Sequence, residues 1–366
     1  MSQTAVGVNS PQAVKRWATS LAVETDKLTY WTKFIGAGEN NIIERKTELE
    51  EDAGDEIRFD LSMKLRGGVV TGDNVVEGTE ENLTFYQDAV RIDQVRKGVS
   101  AGGRMTRKRT LHNLRRIALD RGAQYMAEWT DDMLFTYISG DANLAAINQD
   151  NKFSAAFAGN AIQAPDSDHI LYGGAATSKA TLTASDKVNV ALIERVSVKP
   201  TMMNATNPDV VQMQAVNVEG GKRFIFLMSP FSAFDMRTET GDLSWSKIQQ
   251  ALATSEGRNS PICKGGLGMI NDTVLHQHPN VRRFSDYGAG GNVQAARNLL
   301  LGRQAGVVAY GAAGNGTRMQ WTEKLFDADN QIAVYYGGIL GAKKTRFNNR
   351  DFGVIAVDTA ARDPNA

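Results

Sequence analysis

The chain has 366 residues, enough to bury a large core as about two compact units or one elaborated one. Forty-one Lys plus Arg offset forty-one Asp plus Glu, so the global basic excess of a nucleic-acid binder is absent and any polyanion contact has to be local. The single cysteine, Cys263, excludes an intramolecular disulfide, and no apolar run approaches the roughly 20 residues of a membrane helix.

In chain order, the N-terminal Met-Ser-Gln-Thr-Ala-Val lacks a basic segment followed by an apolar one, which gives the expectation of a cytoplasmic product. Trp17, Leu21, Leu28, Tyr30, Trp31 and Phe34 follow at loosely helical spacing and stop at Gly36-Ala37-Gly38. These aromatics need a surface, supplied by the chain's own body or by a neighbour. From Ile57, strict alternation (Ile57, Phe59, Leu61, Met63, Leu65) predicts a half-buried strand, and a second alternating run returns through Val90, Ile92 and Val95. Between them lies a glycine- and acid-rich excursion with Gly72, Asp73, Glu77, Glu80 and Glu81. A bare two-stranded ribbon is marginal in water, so a projecting one implies a partner to lie against.

Leu111, Leu114, Ala118, Gly122, Tyr125, Trp129, Met133 and Tyr137 then recur at steps of three and four, predicting one helix over 104–139, roughly 50 Å long, with Gly140 as its C-cap. Its first half is basic, with Arg104, Arg107, Lys108, Arg109, Arg115, Arg116 and Arg121. Cations at a helix start oppose the macrodipole. The alternatives are a solvated face, a neighbour's acidic loop or a nucleic acid. Asp131 and Asp132, adjacent on this helix, diverge by about 100° and read as surface acids.

Residues 143–185 read as an irregular connection, followed by a helix from Ser185-Asp186 to Pro200. Phe224 to Met228 is a candidate buried strand; Ser229-Pro230 supplies the N-cap and first residue of a helix, and a further helix is expected over 243–253. Gly265-Gly266-Leu267-Gly268 precedes a strand carrying His276 and His278, and late strands are expected at 305–310, 331–338 and 352–357, with a turn at Asn348-Asn349.

The motifs that resemble chemistry are weak. His276 and His278 share one face of a strand, yet zinc needs at least three protein ligands and no H-E-x-x-H or C-x-x-C completes a set. Asp351-Phe352-Gly353 lacks the other kinase signatures, and neither Gly265-Gly266-Leu267-Gly268 nor the 311–317 segment carries the lysine of a phosphate loop. No G-x-S-x-G is present, and nothing in the sequence places a base beside Cys263. No catalytic, cofactor-binding or metal-binding residue is therefore assigned, and the long helix, projecting ribbon and aromatic arm point to an assembly protein.

The order of several features along the chain resembles the tailed-bacteriophage major capsid proteins of the HK97-like fold, in particular the podophage branch with large virion-packaged polymerases. The features are Gly72-Asp73 with Glu77-Gly78-Thr79-Glu80-Glu81, the long helix, Phe226-Leu227-Met228-Ser229-Pro230, Gly265-Gly266-Leu267-Gly268, Lys343-Lys344-Thr345-Arg346-Phe347 and Asp351-Phe352-Gly353-Val354-Ile355. The resemblance implies an α+β fold with an N-terminal arm (1–56), an extended loop hairpin (57–103), a peripheral domain with a spine helix (104–185), an axial domain (186–306) and C-terminal strands (307–366) completing the peripheral domain. It implies a shell of hexamers and pentamers around double-stranded DNA, without enzymatic activity, cofactor or membrane contact. The expected partners are further copies of the chain, a separate scaffold protein, a portal and a decoration protein. The virion is the expected location, after assembly in the host bacterial cytoplasm. The expected intersubunit contacts are Gly72, Asp73, Glu77, Glu80 and Glu81 of the loop and the basic face of Arg107, Arg109, Arg115 and Arg116. Relatives joined by an isopeptide crosslink need a loop lysine, and none lies between Arg66 and Arg91. A cellular compartment shell of the same fold and a metal-dependent enzyme using His276 and His278 are the competing readings.

Overall fold

The computed structural model describes residues 11–50, 53–63, 65, 67–141, 153, 156–206, 210–218, 221–239, 266–312 and 318–365, with the backbone alone at 11–17, 205 and 206. The chain begins with helix α1 (Pro11–Leu28), a 3-10 turn (Tyr30–Phe34) and strands β1 (Ile35–Gly36) and β2 (Ile43–Lys46). The ribbon β3 (Glu56–Ser62) and β4 (Phe85–Arg91) follows, then β5 (Asp93–Gly103), α2 (Arg104–Arg109) and α3 (Leu114–Ser139). Next come β6 (Ile170–Tyr172), α4 (Val190–Thr206), β7 (Val216–Val218), β8 (Gly221–Met228), α5 (Pro230–Arg237), β9 (Gly268–Ile270), β10 (Thr273–Gln277), β11 (Arg283–Tyr287) and β12 (Val293–Leu301). The last strands are β13 (Gly306–Gly311), β14 (Met319–Phe326), β15 (Gln331–Lys344), β16 (Arg346–Phe347), β17 (Arg350–Asp351) and β18 (Val354–Ala360).

Two sheets carry the body. In the first, β15 is long enough to pair with β14 and then β13 along one edge while β5 runs antiparallel along the other. β13 in turn pairs in parallel with β2, which brings the N-terminal segment into this sheet. The second sheet has the order β6-β18-β12-β8-β10-β9, and the continuous apolar run of β8 is buried from Phe224 to Met228, as expected of a central strand covered on both faces. Helices α4 and α5 cover one face of it through Val190, Leu192, Ile193, Val196, Ala233 and Met236, packed on Phe226, Leu300 and Ile355. The other face shares a core with the C-terminal half of α3, including Trp129, Met133, Leu134 and Phe135. Each fully buried large apolar side chain of this kind stabilises the fold by roughly 1.5–3 kcal/mol.

Several expectations are corrected. The basic helix is not continuous from 104 to 139: α2 ends at Arg109, and α3 restarts after Asn113, whose side chain accepts the Arg116 N–H at 3.2 Å. Asparagine competes for backbone donors and so favours a new N-cap over a helix interior. Leu111, assigned to the apolar stripe, is fully exposed in the break. The expected stop at Gly140 is present, in the left-handed conformation with φ 65°. Helix α4 starts at Val190 behind the cap Asn189 rather than at Ser185, and it runs through Pro200, which removes one backbone donor from the helix interior.

The return arm of the ribbon breaks at Ile92: only β4 pairs with β3, and β5, placed with the loop hairpin from sequence, belongs to the first sheet. The C-terminal strands also divide. β13 to β15 lie in the first sheet, whereas β18 inserts between β12 and β6 in the second, and β6, grouped with the spine helix from sequence, lies there too. The helix expected over 243–253, Cys263 and the 313–317 loop lie outside the described residues.

Candidate functional site

The ribbon is anchored at its base and open at its tip. At the base, Ile57 and Val90 pack on Val307 and Ala309, Lys343 is ion-paired with Asp88, and the Asn160 side chain both accepts from Arg91 N–H (3.0 Å) and donates to its carbonyl (2.8 Å). The ladder stops after a last cross-strand bond from the Met63 N–H to the Thr84 carbonyl (3.0 Å), and residues 67–84 carry no strand. Gly72 and Gly78 adopt positive φ (67° and 90°), a conformation L side chains rarely take, with open space around both. The Glu81 carboxylate accepts the Gly67 N–H at 2.6 Å and Glu80 that of Gly78 at 2.7 Å, so these two acids shape the loop, while Asp73 and Glu77 are exposed beside them. Val69 is 88% exposed and Val75, Val76 and Leu83 each at least 60%. These valines were not singled out from sequence; their clustering in a stretch with no helical or strand period was the available signal.

On the basic side, the four arginines have different environments. Arg107 is partly buried and donates to the carbonyls of Gly102 (3.2 Å) and Asn330 (3.4 Å), which fixes α2 to the β14–β15 turn. Arg115 pairs with the buried Glu323 at 2.6 Å, which also accepts from the Trp321 indole at 2.9 Å. Arg116 reaches Asp120 at 3.7 Å, and Arg109 is exposed with Arg104 and Lys108. Met105, Leu111 and Ile117 are exposed among them. The break between α2 and α3 therefore presents a surface that is both cationic and apolar, and the loop 67–84 presents one that is both anionic and apolar.

The two histidines take part in a third arrangement, the seat of the N-terminal arm. Trp31, Phe34 and Leu21 are buried on the chain's own body, while the Trp17 side chain lies outside the described residues. Asp131, expected at the surface, is buried on α3, where its carboxylate accepts the N–H groups of Tyr30 (3.0 Å) and Trp31 (3.4 Å) and so caps the 3-10 turn. Burial pushes its carboxyl up to about 7 against those two donors, with Asp132 adding to the rise. Asp132 is buried as well and accepts from the Asn280 amide at 2.8 Å. The His276 ring meets the edge of Phe34 at 5.5 Å; the His278 ring stacks on Phe135 (4.8 Å) and lies 4.4 Å from Tyr30, its Nδ1 accepting the Asn280 N–H at 3.2 Å. Both rings are aromatic packing elements, and no group of three or more His, Cys, Asp or Glu among the described residues is placed to hold a metal ion. No described helix is long and apolar enough to cross a membrane.

A long interrupted helix under two sheets, with an outlying ribbon and an arm, defines the class: a shell-building subunit of HK97-like architecture. The phage capsid protein family model matches residues 5–363, and the chain belongs to that family. It is 26% identical over 373 residues to the major capsid protein of Pseudomonas phage KPP25, with 94% of each covered. Its structure is similar to the capsid of Ralstonia phage GP4, with 51% identity, full coverage of both chains and a TM-score of 0.85. The fold also matches the cyanophage Pam1 capsid subunit at a TM-score of 0.68 and 22% identity over 92% of this chain and 93% of that one. The chain is thus a phage major capsid protein, a virion component that self-assembles into a shell, and it is not an enzyme.

Proposed function

We propose that the shell is built from hexameric and pentameric capsomers in which the loop 67–84 of one subunit lies over its neighbour, against the α2–α3 break. The observation that carries this reading is the loop itself, in which Val69, Val75, Val76 and Leu83 are exposed alongside Asp73, Glu77, Glu80 and Glu81 on a ribbon anchored at its base. The cationic, apolar surface of Arg104, Lys108, Arg109 and Arg116 with Met105 and Ile117 has the complementary charge and character. Under this reading residues 1–56 are the arm, 57–92 the extended loop, the first sheet with α3 the peripheral domain, and the second sheet with α4 and α5 the axial domain around which subunits meet. An icosahedral shell enclosing double-stranded DNA, held without sequence specificity, rests on the sequence resemblance and is compatible with the zero net charge. A separate scaffold protein, a portal, a decoration protein, assembly in the host cytoplasm and membership of the podophage branch rest on the sequence resemblance.

The test is deletion of residues 68–81 followed by electron microscopy and size-exclusion chromatography. The expected product is a soluble, folded subunit that forms no closed shells. Normal particles from the deletion variant would remove the loop from the assembly mechanism.

A further inference from the structure

The seat of the Tyr30–Phe34 turn carries a pair of groups that the shell-building role does not use. Asp131 caps the turn from below through two backbone N–H groups, and His278 packs against the rings of both Tyr30 and Phe135, which also contact each other at 6.1 Å. Docking the turn also buries the Tyr30 hydroxyl and the Trp31 indole N–H without a hydrogen-bond partner among the described residues. Each orphaned donor raises the cost of docking and so opposes the favourable burial of Trp31 and Phe34 in the core beneath the turn. The helix it tethers, α1, exposes Val23 and Leu28 and contacts the body mainly along α3 and β14.

We propose that this seat is a latch on the N-terminal helix in which Asp131 and His278 respond to protons with opposite sign, so that their effects offset each other and the arm keeps its hold across the mildly acidic range. The signs follow from burial. Asp131 has a raised folded pKa of about 7, so docking takes up a proton there, and its contribution grows as pH falls from about 7 towards the unfolded carboxyl range. His278 is lowered to about 4 by burial and then by Lys33, so docking expels a proton, and its contribution is present above the ordinary imidazole range and is lost as pH falls towards 4. The other charged or titratable groups that face the pair are Asp132 beside Asp131 on α3; Tyr30 and Lys33 on the turn, the Lys33 amine 4.3 Å from the Tyr30 ring centroid and 3.4 Å from His276 Nδ1; and Arg282, which donates to the Asp132 carbonyl and the Thr136 hydroxyl. The offset makes each group separable: removing one exposes the pH response of the other.

The experiment is amide hydrogen exchange of residues 30–35 in the full-length subunit between pH 4.5 and 6.5, corrected for intrinsic rates, in the native sequence, Asp131→Asn and His278→Phe. Protection in the native sequence is expected to change by less than about threefold over this range. In Asp131→Asn it falls with acid, and in His278→Phe it rises with acid, each by up to about tenfold per pH unit. The native-sequence series stands without either variant: a steep pH dependence there overturns the compensation. Variants whose protection follows the native profile overturn the assignment of the two groups.

Discussion

Arg297 on β12 and Asp358 on β18 are register partners in the second sheet, and the Arg297 guanidinium donates two hydrogen bonds to the Asp358 carboxylate, at 2.8 and 2.9 Å, with the Tyr287 hydroxyl donating to the same carboxylate at 2.7 Å. Both side chains are nearly or fully buried, so this pair ties the last strand of the chain to a sheet begun more than a hundred residues earlier. Removing one partner leaves the other charged and unsolvated. Asp358→Ala is expected to cost about 3–5 kcal/mol in urea unfolding, whereas the double change Arg297→Met, Asp358→Leu recovers most of that loss.

If the loop and the α2–α3 break meet across subunits, reversing the charge on either side disrupts assembly. Glu77→Lys with Asp73→Lys, or Arg109→Glu with Arg116→Glu, should each abolish closed shells while leaving the subunit folded, because all four side chains are exposed. Combining the two sets should restore particles in part, as expected for a complementary interface. Electron microscopy of the three proteins separates this from a general solubility effect, and failure of the combination to restore any shell would rule out the pairing.

Gly140 ends α3 with φ 65°, and a Cβ there would lie 2.1 Å from the Gln163 carbonyl oxygen. Gly140→Ala meets both a left-handed backbone and a fixed main-chain atom, so a loss of about 2–4 kcal/mol is expected. A loss below 1 kcal/mol by thermal or chemical denaturation would show that the 163 segment moves aside.

Asp166 holds the segment before β6 to the β16–β17 hairpin, accepting from Asp168 N–H (2.9 Å), the His169 ring (2.8 Å) and Asp351 N–H (2.7 Å). Burial opposes its charge, yet the His169 ring and these N–H donors hold its carboxyl well below the ordinary range. A depressed folded value contributes stability above the unfolded carboxyl pKa and loses it as pH falls below about 4. Asp166→Asn should therefore lower stability at pH 7 by about 1.5–3 kcal/mol and flatten the acid limb of the stability profile, measured by denaturation from pH 7 to pH 3.

Elements whose signal is local were legible in the residue order. The alternation of Ile57 to Leu61 became β3, the run Phe224 to Met228 became the buried part of β8, Ser229 capped α5 with its side chain accepting the Ser232 N–H, and Asn348 and Asn349 took the positive φ values of a two-residue hairpin turn. The helical period of 114–139 and its glycine stop were equally plain. The acidic loop and the basic stretch stood out as well, because charge and glycine content need no tertiary information. What failed was continuity. Periodicity carried the stripe through Leu111, while Asn113 ended one helix and began another.

By itself, the sequence determined the elements with a strong local signal, among them β3, the buried run of β8, α3, α5 and the 348–349 turn, since period, capping residues and turn residues act over a few neighbours, while β6, β11, β12 and β14 emerge only in the folded structure. It also indicated that the aromatic arm needs a surface, which the chain's own body supplies for Trp31 and Phe34. Only the tertiary structure decided that β18 enters the second sheet while β15 spans the first, and that Asp131, an apparent surface acid, sits buried beneath the Tyr30 turn. The reason is physical: α3 is enclosed on all sides from Thr130 to Ser139, so the burial of its residues is set by what packs around the helix and not by their spacing along it.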